Sequence, residues 1–184
     1  MGNAFRIEKL ADHPSLIPSV ASEVWREWGY GSPDGCIADL RQTRRDDLPI
    51  CEVAIRESAP VGVVSLIACN LPPRCDLSPW LAGLYVWPAY RRQGIGAELV
   101  RTLEADAVRL RHPVLYLYTE SAEEFYRRLG WQTFDRDRWE GEEIALMTRV
   151  PGAEREPAAR GVRGVNVIAS VDASAPHWSD LPAP

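Results

Sequence analysis

Residues 80–119 hold a pattern that strongly restricts the fold: two apolar strand-like runs separated by a glycine turn and an amphipathic helix. The first run is "WLAGLYVW" (80–87), and the second, "VLYLYT" (114–119), is apolar on both alternating faces, as a strand covered on two sides is. The helix is predicted from an apolar stripe at helical spacing, formed by Ile95, Leu99, Leu103 and Leu110 and flanked by Val100 and Ala107. Strand, helix and strand within about 40 residues predict a βαβ unit with parallel strands and a right-handed crossover.

The remaining elements follow from apolar periodicity and turn residues. Helices are predicted over residues 14–28, after Ser32-Pro33, and over 121–130, and Trp28 falls on the same helical face as Ile17 and Val24. Strands are predicted over 5–10, 50–56, 61–69, 131–136 and 143–149, with the runs at 50–56 and 61–69 joined by "ESAP" as a hairpin.

The length of 184 residues and the 46% hydrophobic content suit one well-buried domain. We place that domain at residues 1–150. Residues 151–184 are rich in Pro, Ala and Gly and lack helical periodicity, so we expect a flexible tail, in which "VNVIASV" (165–171) could instead add an edge strand.

Composition argues against several classes of protein. A formal net charge of −5 disfavours nucleic-acid partners, and no apolar stretch reaches the ~20 residues of a membrane span, so we expect a cytoplasmic protein without a membrane partner. Cys36, Cys51, Cys69 and Cys75 lack C-x-x-C spacing, which favours buried free thiols over a disulfide framework or a zinc site. The three histidines are scattered, and we expect no metal site.

The turn before the central helix has the composition of an anion site. The first turn of a helix leaves backbone N–H groups unpaired, and Gly94 and Gly96 would let an anion approach without meeting a β-carbon. Arg91 and Arg92 could add charge-assisted hydrogen bonds. A P-loop is absent, and Leu99 stands where a dinucleotide fingerprint needs a small residue, although a purely steric role for the glycines stays open.

Two blocks of this sequence resemble the signature of the GNAT superfamily of N-acetyltransferases. "RRQGIG" (91–96) fits its coenzyme A motif, [Q/R]-x-x-G-x-[G/A] after a strand, and "LYLYTESAEEFYRRLGW" (115–131) fits its second block. The resemblance covers about residues 5–150, with two departures: Thr119 replaces a common Asn, and Trp131 a common Phe. It implies an α/β (α+β) fold with a mixed, mostly antiparallel twisted sheet, helices on both faces, and a splayed parallel strand pair that admits the cofactor.

The resemblance also implies which groups bind acetyl-CoA. Backbone groups of Leu84 and Val86, with Tyr85 between them, would pair with the pantetheine arm like an added strand, and a backbone N–H near the end of that strand would stabilise the oxyanion. The pyrophosphate would be held at the glycine turn and the start of the helix, by Arg91, Arg92, Gln93, Gly94, Ile95, Gly96 and Ala97.

Tyr126 matches the family position of the general acid that protonates the leaving thiolate of coenzyme A. The alternative is packing, since Ala122, Phe125, Tyr126 and Leu129 share one helical face. The base that deprotonates the acceptor amine is left open among Glu23, Glu27, Asp76 and Glu120. Trp25, Tyr30, Asp76 and Trp80 are predicted to line the acceptor site, with structural packing as the alternative for each.

We therefore expect an acyltransferase that moves acetyl from acetyl-CoA directly to a primary amine of a small molecule or peptide, with no metal. A module that senses acyl-CoA without turnover and a dinucleotide-binding domain are the alternatives. A homodimer stays open.

Overall fold

The computed structural model describes residues 4–29 and 31–152. Within them lie four α-helices, α1 (Ile17–Trp28), α2 (Pro33–Leu40), α3 (Ile95–Arg109) and α4 (Glu123–Arg128). They also contain seven β-strands: β1 (Arg6–Lys9), β2 (Ile50–Arg56), β3 (Ala59–Ile67), β4 (Trp80–Val86), β5 (Leu115–Thr119), β6 (Gln132–Trp139) and β7 (Glu142–Arg149).

The seven strands form one sheet in the order β1-β2-β3-β4-β5-β7-β6, and β4 and β5 are its parallel pair among otherwise antiparallel neighbours. The helix α3 connects the two parallel strands, which confirms the predicted βαβ unit. β4 and β5 pair only at Trp80 and Tyr116, at the start of each strand, and then diverge. The predicted splay therefore lies between their C-terminal halves.

A β-bulge in β4 accompanies this divergence. Ser65 of β3 pairs with Ala82, whereas Val63 pairs with Tyr85, so two residues of β4, Gly83 and Leu84, lie opposite the single residue Val64. Gly83 has a φ of +60°, a conformation that glycine adopts without the steric cost of a β-carbon. The extra residue bends β4 at the level where β5 departs from it.

Local sequence explains several element ends. Glu57 and Ser58 both have positive φ and form a two-residue turn between β2 and β3, whose twist suits a tight hairpin. The Ser32 hydroxyl accepts a hydrogen bond from the Gly35 N–H at 3.1 Å, which caps α2 as predicted. The first helix begins at Ile17 rather than at residue 14, because Pro14–Leu16 forms a separate 3-10 turn.

Apolar side chains cover both faces of the sheet, as predicted. On one face, the stripe of α3 packs with residues of α4 and the central strands. On the other face, α1 and α2 pack over the β1–β4 half of the sheet, where the half-buried Trp28 lies with Val24. A third cluster, around Trp80, Leu71 and Leu146, covers the β4–β5–β7 half on that second face. α1 and this third cluster therefore lie over different halves of one face.

The prediction of four free thiols is wrong for one pair. Cys69 and Cys75 form a disulfide with their α-carbons 5.0 Å apart. The intervening chain turns back on itself at Pro72–Arg74, and this loop path has no periodic signature that sequence inspection could detect. Cys51 is a buried free thiol and Cys36 a half-buried one, as predicted.

Two other predictions concern the end of β6 and the C-terminal tail. β6 extends to Trp139, beyond the predicted end at residue 136, and has an exposed side chain at most of its positions. The proposed tail, including "VNVIASV" (165–171), lies outside the described residues apart from Pro151 and Gly152. None of the helices in the described part of the chain combines the length and the apolar character needed to cross a bilayer.

Candidate active site

One edge of β4 faces the splay. After Trp80, the residues along this edge have no paired residue on β5. The Trp87 N–H donates to the Val61 carbonyl on β3 at 3.0 Å. Backbone groups of successive strand residues point alternately to the two sides, so Tyr85 also faces β3 while Val86 and Leu84 face the side from which β5 has diverged. The Tyr85 ring is buried against Trp28 and Trp87.

The start of α3 lies directly after this edge in the chain. Gly94 takes the N-cap position with a φ of +84°, and its carbonyl accepts the first helical hydrogen bond, from the Glu98 N–H at 3.1 Å. The N–H groups of Ile95, Gly96 and Ala97 consequently have no acceptor within the helix. A β-carbon on Gly94 would meet no atom within 4 Å, and one on Gly96 would lie at an ordinary 3.5 Å from Val86. The helix N-terminus is thus open at the positions where an anion would approach.

Side chains of the preceding turn brace it against the sheet. The Arg91 guanidinium donates from Nε to the Val86 carbonyl at 2.9 Å and lies 3.9 Å from Glu27 on α1. The Gln93 side-chain oxygen accepts from Arg56 on β2 at 3.4 Å. Arg92 differs from both, since it is exposed and has a φ of +62°. Of the two arginines predicted to contact an anion, Arg92 is therefore the one with a solvent-facing side chain.

Tyr126 on α4 combines burial with an unused hydroxyl. Its side chain is 6% exposed, and its ring centroid lies 5.0 Å from that of Phe125 and 6.0 Å from that of Trp131. Among the described residues, the hydroxyl has no hydrogen-bond partner, and burial raises its pKa. The Tyr126 phenol stays protonated at neutral pH and is free to donate.

The four carboxylates predicted as alternative bases differ in their partners. Glu23 pairs with Arg26, Glu27 with Arg91, and Asp76 with Arg74 at 3.5 Å. Glu120 forms no ion pair with any residue in 4–29 or 31–152. It follows the C-terminal end of β5, where burial raises its pKa, with smaller contributions from Glu142 and Glu140.

The residues predicted to line the acceptor site lie in different environments. Trp25 on α1 is 38% exposed, and Asp76 is exposed in the loop between β3 and β4. Trp80, in contrast, is fully buried, and its indole N–H donates to the Leu77 carbonyl at 2.6 Å, so its present role is packing. Tyr30 lies outside the described residues.

Sequence reasoning missed three residues that surround Glu120. Tyr118 is two residues away on β5, and burial raises the pKa of its hydroxyl, as do Glu140 and Glu120. Glu140 and Glu142 lie at the turn between β6 and β7. The alternation of "VLYLYT" places Tyr116 and Tyr118 on one face, which is a detectable signal, but the approach of the β6–β7 turn is not visible in the sequence. The described residues contain no group of three or more His, Cys, Asp or Glu arranged to hold a metal ion.

Comparisons with known proteins support the resemblance found in the sequence. Residues 49–133 match the sequence model of the acetyltransferase (GNAT) domain. This range contains β2 to α4, and with them the splay, the glycine turn and Tyr126. No curated protein matches the sequence.

Solved structures share the fold at low sequence identity. An aminoglycoside 6'-N-acetyltransferase complexed with coenzyme A superposes with a TM-score of 0.63 at 16% identity, over 82% of this chain and 99% of that one. The aminoglycoside 6'-N-acetyltransferase from Enterococcus faecium gives a TM-score of 0.66 at 16% identity, with the same coverage.

A chimera of the spermidine N-acetyltransferase SpeG from Vibrio cholerae and hSSAT gives a TM-score of 0.60 at 16% identity, over 80% of this chain and 95% of that one. These likenesses establish the fold, and the sequence match identifies the domain within residues 49–133. Within this chain, residues 49–133 carry an acetyltransferase (GNAT) domain.

Proposed function

We propose that this protein is an N-acetyltransferase that transfers acetyl from acetyl-CoA directly to a primary amine of a small molecule or peptide, and that residues 1–150 form the catalytic domain. The observation that carries the proposal is the divergence of β4 and β5 after the single pair Trp80 and Tyr116, beside the open N-terminus of α3. The aminoglycoside 6'-N-acetyltransferase that shares this fold was solved in complex with coenzyme A, which supports the choice of ligand.

The proposed binding mode uses backbone groups first. The pantetheine arm would add to the open edge of β4 through Leu84 and the N–H of Val86, since the Val86 carbonyl is already bonded to Arg91. The pyrophosphate would accept hydrogen bonds from the unpaired N–H groups at residues 95–97, with Gly94 leaving room and Arg92 adding charge.

The proposed chemistry removes two protons from the acceptor nitrogen, one before the attack and one to water as the tetrahedral intermediate collapses to the neutral amide, and it delivers one proton to the sulfur. Glu120 takes a proton from the acceptor ammonium, directly or through water, so that the neutral nitrogen can attack the thioester carbonyl. A backbone N–H near the end of β4 stabilises the oxyanion while the C–N bond forms. As the C–S bond breaks, Tyr126 donates its proton to the leaving sulfur, whose conjugate acid has a pKa of about 8.5, as a cysteine thiol does.

The pKa of Glu120 and the hydroxyl of Tyr126 support this assignment. A base works best when its pKa lies near the operating pH, and burial moves that of Glu120 in this direction. Tyr126 has no partner for its proton among the described residues, so a substrate sulfur could accept it. The aminoglycoside and spermidine acetyltransferases that share the fold suggest cationic amines as the first acceptors to test.

Two assays test the proposal in sequence. Thermal-shift measurements with acetyl-CoA, coenzyme A, NAD and ATP should show stabilisation by both coenzyme A forms. Thiol release from acetyl-CoA is then followed across a panel that contains an aminoglycoside, spermidine and a peptide with a free N-terminus, and at least one amine should accelerate it. Stabilisation without acceleration would identify a sensor module, and stabilisation by NAD alone a dinucleotide-binding domain.

A further inference from the structure

Behind Tyr126 lies a buried polar cluster that the proposed chemistry does not use, formed by Glu104 on α3, Trp131 before β6 and Arg149 at the end of β7. We infer that Glu104 is a positioning residue that fixes the Tyr126 phenol through Trp131. The inference rests on the proposed function, in which Tyr126 is the general acid. It adds to that function a residue on another helix that sets the direction of the proton donor.

Trp131 contacts Tyr126 in two independent ways. Its backbone N–H donates to the Tyr126 carbonyl at 3.1 Å, which ties the end of α4 to the start of β6. Its ring meets the Tyr126 ring edge-on, with centroids 6.0 Å apart and planes at 65°. The orientation of the phenol therefore depends on where the Trp131 indole lies.

Glu104 determines where that indole lies. The indole N–H donates to Oε1 of Glu104 at 2.9 Å, and both side chains are buried. A hydrogen bond to a carboxylate is stronger than one between neutral groups, and burial strengthens it further. Because α3 also begins at the proposed pyrophosphate site, one helix connects the bound nucleotide end of the substrate to the support of the proton donor.

Arg149 makes the burial of this carboxylate possible. Its Nε lies 3.8 Å from Oε2 of Glu104, and its Nη1 donates to the Gly130 carbonyl at 3.2 Å. Gly130 has a φ of +91°, and a β-carbon there would lie 2.8 Å from Nη1. The guanidinium thus holds the residue that directly precedes Trp131, so α3, β7 and the α4–β6 connection meet in one network.

A buried ion pair of this kind adds little net stability, because desolvation offsets much of the attraction. The effect of the pair is on geometry. Glu104 holds the Trp131 indole and Arg149 holds the Gly130 carbonyl, so both neighbours are kept in one arrangement. Glu104 accepts the indole N–H of Trp131, a donor that phenylalanine lacks. The pair therefore forms a unit that a phenylalanine at position 131 could not complete.

The test measures kcat, the KM of acetyl-CoA and the dissociation constant of coenzyme A for the full chain. Trp131→Phe keeps an aromatic ring against Tyr126 but removes the donor, and Glu104→Leu removes the acceptor. Each should lower kcat by about tenfold with little change in the affinity for coenzyme A, because a misplaced catalytic group affects the chemical step. Glu104→Gln retains an oxygen acceptor and should recover part of the loss.

The deciding step repeats Trp131→Phe and Glu104→Leu in a Tyr126→Phe background. A residue that acts only through Tyr126 should cause no further loss of kcat there, because the donor is already absent. Val53→Ala, which truncates a fully buried side chain in the α1-side core, controls for general destabilisation and should lower the melting temperature without this kcat pattern.

Losses that multiply in the Tyr126→Phe background would overturn the positioning role, and so would a Trp131→Phe variant that changes only the melting temperature, as Val53→Ala does. Failure of the wild-type protein to release thiol with any amine would instead overturn the proposed function, on which the positioning role depends. The two failures are thus separated by the wild-type measurement.

Discussion

Nε of Arg91 donates a hydrogen bond to the backbone carbonyl of Val86, with 2.9 Å between nitrogen and oxygen. Arg91 follows Val86 by five residues, so this bond joins the end of β4 to the turn that leads into α3. The Arg91 guanidinium also lies 5.4 Å from the centre of the Tyr85 ring. Arg91 therefore braces the turn, whereas the neighbouring Arg92 is exposed to solvent.

Because Arg91 braces the turn and Arg92 is exposed, alanine substitutions at the two positions should weaken coenzyme A binding in different ways. Arg92→Ala should weaken coenzyme A binding by about 1 kcal/mol at low salt, and the loss should shrink as salt screens an exposed charge pair. Arg91→Ala should weaken binding by disordering the turn, with a loss that persists at high salt. Calorimetric titration at about 0.05 M and about 0.5 M NaCl distinguishes them. The same salt dependence for both variants would contradict the assignment.

The open position at Gly94 allows a closely matched comparison. Gly94 and Gly141 have φ values of +84° and +93°, and a β-carbon on either would meet no atom within 4 Å. Alanine at each position should therefore cost a similar ~1 kcal/mol of stability from backbone strain. Only Gly94→Ala should also lower the affinity for coenzyme A, measured by titration. Equal affinities in the two variants would remove Gly94 from the pyrophosphate site.

Periodic patterns in the sequence were sufficient to predict the parallel strand pair and both covered faces of the sheet. The stripe of α3 is visible because a helix on a sheet must repeat its apolar side chains at helical spacing. The hairpin before it is visible because two β-rich runs flank a short turn. Such features depend on neighbours in the chain, and they include the turn at Gly94 and the helix that carries Tyr126.

Features that depend on the path of a loop could not be predicted. The disulfide between Cys69 and Cys75 requires the β3–β4 loop to fold back, and the burial of Trp80 depends on the side chains of β5 and the same loop. The choice of Glu120 among four carboxylates depends on its burial and on the approach of the β6–β7 turn, which carries Glu140 and Glu142. Local patterns contain no information about these contacts.

Glu120 should govern the acidic limb of the pH–rate profile. Its pKa is raised by burial and by Glu142 and Glu140, and a base is active only when deprotonated. Activity should therefore fall as the pH drops through this raised pKa. Glu120→Gln should lower kcat/KM by about 100-fold and abolish the limb, with coenzyme A affinity retained. A profile with an unchanged limb in Glu120→Gln would assign the base elsewhere.

A second carboxyl, far from the proposed chemistry, should make stability depend on pH. Glu52 on β2 is buried and hydrogen-bonded to Lys9, which also bonds to Asp106 on α3. Burial, assisted by Asp106, raises the pKa of Glu52 from 4.5 to about 7. Between these values the folded state holds more protons than the unfolded state, so this group lowers stability as the pH rises.

Glu52→Gln removes the titrating group and should remove that dependence. The melting temperature of the variant, relative to the wild-type protein, should therefore increase as the pH rises from 4.5 to about 7. Thermal melts across this range measure the difference, with the exposed Glu143→Gln as the control variant. A relative melting temperature that decreases over the same range would contradict the direction of the shift.

In the proposed mechanism, Tyr126 supplies the proton for acetyl transfer at the splay between β4 and β5. The most direct test compares wild-type and Tyr126→Phe protein in two measurements, amine-dependent thiol release from acetyl-CoA and the dissociation constant of coenzyme A. Loss of the hydroxyl should lower turnover by about 100-fold and leave the dissociation constant nearly unchanged. Undiminished turnover in Tyr126→Phe would show that the Tyr126 hydroxyl is not the proton donor.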